Sequence, residues 1–380
     1  MNFDLTEEQR MLKDSVDRWI AENYSFEQRG RHMKCPGGWN REVWAQYAEL
    51  GLLGIPFDEA EGGLGGGPIE TMLVMEAFGR GLTLEPYLAT VVLAGGLLRL
   101  AGSASQRRTL VPQIADGRLT SAFAHSERHS RFEIADVSTT ARLDEKGWTL
   151  DGEKTAVLHG DSADKLIISA RTSGSRCDAG GITLFLVAGD AKGIARRGYA
   201  TQDGFRAADI QLHGVRVSPE DVLGEPGSAY PVIARVVDEA IAALCAEALG
   251  AMAALHELTV EYLKNRRQFG VPIGSFQVLQ HRAVDMLIAL EQARSMAMLA
   301  SMSVAEDDAE LRGRRLAAAK AQIGSSCRFI GQEATQLHGG MGLTLEYSGG
   351  HYFKRLTMIE SLFGNTAHQL QRLARAGGVD

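Results

Sequence analysis

The hydrophobic positions of this chain change period twice. Up to about Gly117 they recur at helical spacing: Leu12, Val16 and Ile20 make one apolar face, and the stretches 39–53 and 70–78 repeat the pattern. Thr6-Glu7-Glu8-Gln9 opens the first helix as a capping box, with Thr6 at the N-cap and Gln9 three residues on. From Leu119 to about Gly224 the period falls to two. Runs rich in β-formers lie at 121–125, 137–143, 165–170 and 182–187, separated by turns such as Asp144-Glu145-Lys146-Gly147. Short strands at even spacing predict a small barrel or sandwich. After Pro226-Gly227 the helical period returns, beginning with Val232, Val236 and Val237 and running through Leu244 and Leu249 to Tyr262. A second helix is expected over about 276–304, a turn at Glu306-Asp307-Asp308, and a third helix over about 310–337. Long helices with short links predict an antiparallel bundle. The expected fold is mostly α with a central β-domain, divided at residues 1–118, 119–226 and 227–380.

A chain of 380 residues exceeds one simple core, which agrees with two or three domains. The formal net charge of −7 argues against a nucleic-acid or anionic-membrane surface. Cys35, Cys177, Cys245 and Cys327 lie far apart and form no Cys-x-x-Cys pair, so reduced thiols are expected and neither a disulfide frame nor a metal site. The acidic, polar start lacks the features of a signal peptide, and no apolar run reaches membrane-span length, so the expected location is the cytoplasm. The run Glu61-Gly62-Gly63-Leu64-Gly65-Gly66-Gly67-Pro68 invites comparison with a dinucleotide-binding loop. Pro68 breaks that spacing and no strand precedes it, so a flexible turn with proline at a helix start is the better reading.

Two motifs flank the long helical stretch near the C-terminus. The first is Arg266-Arg267-Gln268-Phe269-Gly270 with Phe276-Gln277 beyond it, and the second is Gln336-Leu337-His338-Gly339-Gly340-Met341-Gly342. Arginine supplies a rigid fork for a phosphate, and paired glycines let backbone approach a bulky ligand. In their order, distance and flanking helices these motifs resemble the flavin-binding half of the acyl-CoA dehydrogenase family. The sequence of helical domain, β-domain and helical bundle extends the resemblance over the whole chain. It implies an N-terminal helical domain, a middle β-barrel and a C-terminal four-helix bundle. It also implies FAD held across a subunit interface, with Arg266, Gln268, Phe269, Gln277, Gln336, Gly339, Gly340 and Ser126 as its contacts. The implied reaction is α,β-dehydrogenation of an acyl-CoA thioester, with an electron-transfer flavoprotein as acceptor.

The same resemblance exposes departures. Where family members read Thr-Glu-Pro-Gly-x-Gly-Ser-Asp, this chain reads Ser126-Glu127-Arg128-His129-Ser130-Arg131-Phe132-Glu133. Where they read Trp-x-Thr-Asn, it has Ala156-Val157-Leu158-His159, without the stacking tryptophan and the threonine. The Glu-Gly-Thr that carries the base in many members becomes Phe363-Gly364-Asn365-Thr366, placing Phe363 where glutamate is expected. An alternative family position falls on Ala240, next to Glu239, which is a weak candidate because one residue turns a helical side chain by about 100°. Glu247, His338 and His351 read as structural. Together with Gly38-Trp39 and Glu85-Pro86-Tyr87-Leu88, these features resemble the small subunit of pimeloyl-CoA dehydrogenase and related heteromeric members. The implied partner is a second dehydrogenase subunit in a heterotetramer. The alternatives are a non-catalytic structural subunit, or a self-sufficient homo-oligomeric dehydrogenase, oxidase or monooxygenase.

Overall fold

The computed structural model describes residues 4–378. It opens with helices α1 (Glu7–Asn23), α2 (Phe26–His32), α3 (Arg41–Glu49), α4 (Pro68–Gly81), α5 (Gly95–Ala101) and α6 (Ala104–Ala115). Strands β1 (Ser121–Ala124), β2 (Thr140–Asp144), β3 (Gly147–Leu158), β4 (Lys165–Arg171), β5 (Ile182–Ala188), β6 (Ile194–Ala200), β7 (Arg206–Val217) and β8 (Val222–Leu223) follow. Then come α7 (Tyr230–Asn265), the short strands β9 (Arg267–Gln268) and β10 (Val271–Pro272), and helices α8 (Gln277–Ser303), α9 (Ala309–His338), α10 (Ser348–Ser361) and α11 (Thr366–Arg375). The chain is mostly helical with a central sheet, and it forms two compact units. Of the described residues, one holds 4–30, 68–83 and 241–378; the other holds 31–67 and 84–240. Among the described residues no helix is long and apolar enough to cross a membrane.

In the first unit, Thr6 and Gln9 form the expected reciprocal cap, and α1 buries Val16 and Ile20. Helix α9 is packed by α8, α10 and α11. Helices α8 and α9 run antiparallel, since Ser326 bonds the Ala289 carbonyl at 3.3 Å while Glu333, further along α9, pairs with Arg282, further back on α8. Helices α4 and α7 touch backbone to backbone. A Cβ on Gly79 would lie 1.9 Å from the Glu247 carbonyl oxygen, and one on Gly250 would lie 1.8 Å from that of Glu76. Gly250→Ala must therefore push the helices apart, and overpacking of this kind costs about 1–3 kcal/mol or more. Its thermal midpoint is expected to fall, and an unchanged midpoint would mean the two helices separate at no cost.

The second unit is built on one sheet of order β6-β7-β3-β2-β4-β5-β8, with β1 added parallel to β4. Its core face buries Leu150, Val157, Ile168, Phe185, Ala208 and Ile210. The hydrogen-bonded path ends at β6 and β8, and no ladder joins those two among the described residues, so the expected barrel is not closed by pairing. The expected run at 137–143 becomes a strand only from Thr140, because the Ser138 and Thr139 amides turn to Glu127 instead. The longest strands are β3 and β7; the family resemblance implies a strand within β3, but the period-two pattern marks neither. Their ladder slips between Leu150 and Gly152 and again between Lys154 and Val157, which breaks the alternation a period-two reading depends on. The glycine run before α4 is a packed turn rather than a flexible one. The amides of Leu64, Gly65 and Gly66 bond the carbonyls of Gly54, Phe57 and Ile55, and a Cβ on Gly63 would strike the Phe57 carbonyl.

Candidate functional site

In the first unit, α7 ends at Asn265 and the chain turns back on itself through β9 and β10, with Gln268 opposite Val271. Phe269 and Gly270 form the tip, with φ of 53° and 79°. Two successive positive φ values define a type I′ turn, which favours Asn-Gly over a bulky residue. Phe269 nevertheless occupies it, 89% exposed, its ring meeting that of Phe276 edge-on with centroids 6.1 Å apart. Neither local propensity nor the chain's own packing accounts for a phenyl ring there; a ligand or partner resting on it would. Arg266 is exposed, and its guanidinium has no ion-pair partner among the described residues.

The second motif closes α9. Gly339 takes φ 59°, ψ −142°, and its amide bonds the Gln336 carbonyl. A Cβ on Gly339 or Gly340 would meet nothing within 4 Å. Nothing inside the chain requires Gly340 to lack a side chain, so its bare backbone is available to a group from outside. The motifs meet at one end of this unit, because the Tyr262 ring near the end of α7 lies 4.6 Å from that of His338, and the Arg266 amide bonds the Tyr262 carbonyl. An exposed arginine, the exposed amides Gln268, Gln277 and Gln336 and two unobstructed glycines are a donor set that suits a dinucleotide's pyrophosphate and sugar. Beside them, helix α8 exposes Val278, Val284, Leu287 and Ile288 among the polar side chains of Gln280, His281 and Asp285. Large apolar side chains exposed this close together are the kind of surface a partner covers.

In the second unit, the carbonyl of exposed Ser126 accepts the Thr155 amide at 2.8 Å, which sets the Ser126 loop beside Ala156. Next to it, Glu127 is buried and pairs with buried Lys154 at 2.8 Å. The Glu127 carboxylate also accepts the amides of Ser138 and Thr139 at 2.8 and 3.0 Å, while Lys154 Nζ donates to the His125 carbonyl and Ser169. Burial alone would raise the Glu127 carboxyl, but Lys154 and these donors hold it near 2. Burial lowers Lys154 to about 8, against the pull of Glu127. The pair is thus ionised at neutral pH. Buried Arg171 anchors the same loop by donating to the carbonyls of Ala135 and Val137. The sequence reading did not identify Lys154 or Arg171. A lysine in phase with inward-facing Leu150 was the available signal.

The base candidates are all committed elsewhere. Phe363 follows α10 with φ 53°, and its carbonyl accepts Gln369 Nε2 at 2.9 Å. Lys320 Nζ gathers the carbonyls of Ile359, Glu360 and Gly364, so this connection is held in place although it carries no proton acceptor. Glu239 is gripped by Arg99, whose Nη2 lies 2.7 Å from both carboxylate oxygens, with Arg235 3.7 Å away. Buried Glu247 is held at 2.6 and 2.8 Å by Arg355. His338 bonds the Ala334 carbonyl and the Tyr347 hydroxyl, and His351 bonds the Leu345 carbonyl and Arg29; burial lowers the pKa of both rings.

Comparison with known proteins meets this geometry from outside. Models of the acyl-CoA dehydrogenase N-terminal, middle and C-terminal domains match residues 6–118, 122–215 and 231–378. The probable acyl-CoA dehydrogenase YngJ of Bacillus subtilis is 28% identical over 99% of both chains. A chain of the ChsE4-ChsE5 complex from Mycobacterium tuberculosis superposes with a TM-score of 0.89 at 27% identity, covering 99% of this chain and 98% of that one. A chain from the FAD complex of PigA gives 0.90 at 25%, with 99% and 98% covered. The chain belongs to the acyl-CoA dehydrogenase family, FAD-binding oxidoreductases that act on CH–CH bonds.

Proposed function

We propose that this chain is the small subunit of a heteromeric acyl-CoA dehydrogenase of the kind represented by pimeloyl-CoA dehydrogenase, with the three-domain division at 118 and 226. It lends FAD contacts to the assembly and carries no base of its own. The observation that carries this reading is Phe363, a side chain without a proton acceptor on a connection otherwise kept rigid by Lys320 and Gln369. Arg266 and Gln268 would hold the pyrophosphate, Phe269 and Gln277 the ring and sugar edges, Gln336, Gly339 and Gly340 the adenosine end, and Ser126 the flavin end. Bound FAD supplies the hydride acceptor that no side chain provides. The Phe363 amide would donate to a thioester carbonyl, which permits acyl-CoA binding without turnover. The exposed apolar side chains of α8 support an oligomer, and an electron-transfer flavoprotein in the cytoplasm is the acceptor we expect. A self-sufficient homo-oligomer using Glu239 is disfavoured by the Arg99 clamp, and a purely structural subunit by the exposed motif donors.

The test is spectroscopic. The chain should be purified alone and with a glutamate-bearing dehydrogenase partner, and the visible spectrum recorded. A complex with the flavin absorption band, releasing FAD on heating, is expected. A complex without either sinks the reading.

A further inference from the structure

Between Lys154 and Val157 the β3–β7 register slips, Ala156 takes φ 51°, and its methyl is exposed. Bulges of this kind turn a side chain out of the alternation, and they occur next to functional sites. Leu158 pairs with Ala207 and Ala207 with Tyr199, so all three lie on one face of the sheet, and Asp209 opposite Arg197 lies two residues along on the same face. The other face is the core, with Val157, Ala208 and Ile210 buried.

On this outer face Asp209 accepts the Tyr199 hydroxyl at 3.1 Å, the Ala156 amide at 3.2 Å and Arg197 Nη2 at 2.6 Å. The Tyr199 hydroxyl and the Ala156 amide therefore share one acceptor, Asp209 Oδ1, which sets the phenol at the bulge. Burial and then Asp209 raise the phenol above its ordinary value, so it stays neutral, and its ring is only half-buried. A methyl at Ala156 lets a flat ring approach the backbone, Leu158 borders it with apolar surface, and the Asp209 carboxylate disfavours an anion. That combination suits a planar, uncharged heterocycle and not a phosphate.

We propose that Tyr199, held by Asp209 and Arg197, is the aromatic wall for a flavin ring at the place where Ala156 provides none. The assignment rests on the flavin reading above and adds a residue from β6 that neither motif contains. The test uses the co-expressed complex and reads flavin emission per bound FAD, together with FAD affinity from titration of the apo-complex. A phenol in contact quenches flavin emission and a phenylalanine ring does not. Tyr199→Phe is expected to raise emission with little change in affinity. Tyr199→Ala should in addition weaken FAD binding by about 3–10-fold, the loss expected for one aromatic contact. Ala156→Trp in the Tyr199→Ala background should restore both. A complex holding no FAD overturns the flavin reading and this assignment with it. A complex that holds FAD, with emission and affinity identical in wild type, Tyr199→Phe and Tyr199→Ala, overturns this assignment alone.

Discussion

Purified without a partner, this chain is expected to dehydrogenate acyl-CoA at a rate about 10²–10⁴-fold below that of the assembled enzyme, the usual cost of losing a positioned base. The loss follows from three side chains. Phe363 has no lone pair to accept an α-proton. Glu239 has a carboxylate, but both of its oxygens are already bonded to Arg99 Nη2. Glu247 is buried in its pair with Arg355. To serve as a base, either glutamate would have to leave an arginine partner, and for the buried Glu247–Arg355 pair this leaves an uncompensated charge. Co-expression with a glutamate-bearing dehydrogenase chain should restore turnover. In that complex Arg266→Ala should deplete FAD and activity together, the outcome expected if its exposed guanidinium holds the cofactor as proposed. Steady-state rates and FAD content decide the matter. Rapid flavin reduction by an acyl-CoA in the lone chain, abolished by Glu239→Gln, would show that the base has moved to Glu239 and that the pairing reading is wrong.

Removing either member of the Glu127–Lys154 pair is expected to destabilise the chain by about 3–5 kcal/mol, as for other buried pairs broken on one side. Lys154→Met leaves the Glu127 carboxylate with hydroxyl and amide donors and the His129 ring 3.4 Å away. Glu127→Gln leaves a buried ammonium with the His125 carbonyl and Ser169. Acid should act on the same group. The folded Glu127 carboxyl sits near 2, below its ordinary 4.5, so the folded state holds its proton less tightly than the unfolded chain does. The resulting stabilisation is complete above about pH 4.5 and is lost as pH falls toward 2. Thermal midpoints measured from pH 6 downward should therefore drop more steeply in wild type than in Glu127→Gln. Parallel pH curves for the two proteins would remove Glu127 from the account.

What the sequence determined by itself is local. The Thr6–Gln9 cap, the apolar faces of α1 and α7, the entry of α4 at Pro68, and strands β1, β4 and β5 depend on residues a few positions apart, and neighbouring residues were enough to place them. The two glycine- and arginine-bearing motifs were readable for the same reason, since each sits at the end of a helix whose period is plain. What only the tertiary structure decided involves partners far along the chain. Glu239 is 140 residues from Arg99, Glu247 is 108 from Arg355, and Glu127 is 27 from Lys154. No periodicity carries such pairings, yet they determine whether a glutamate is a base or a strut. The period-two pattern missed β3 and β7 because their ladder slips mid-strand, and at one of those slips Tyr199 and the Ala156 amide share Asp209. A side chain that reaches the neighbouring strand beside a bulge is set by sheet register, and register exists only once the chain has folded.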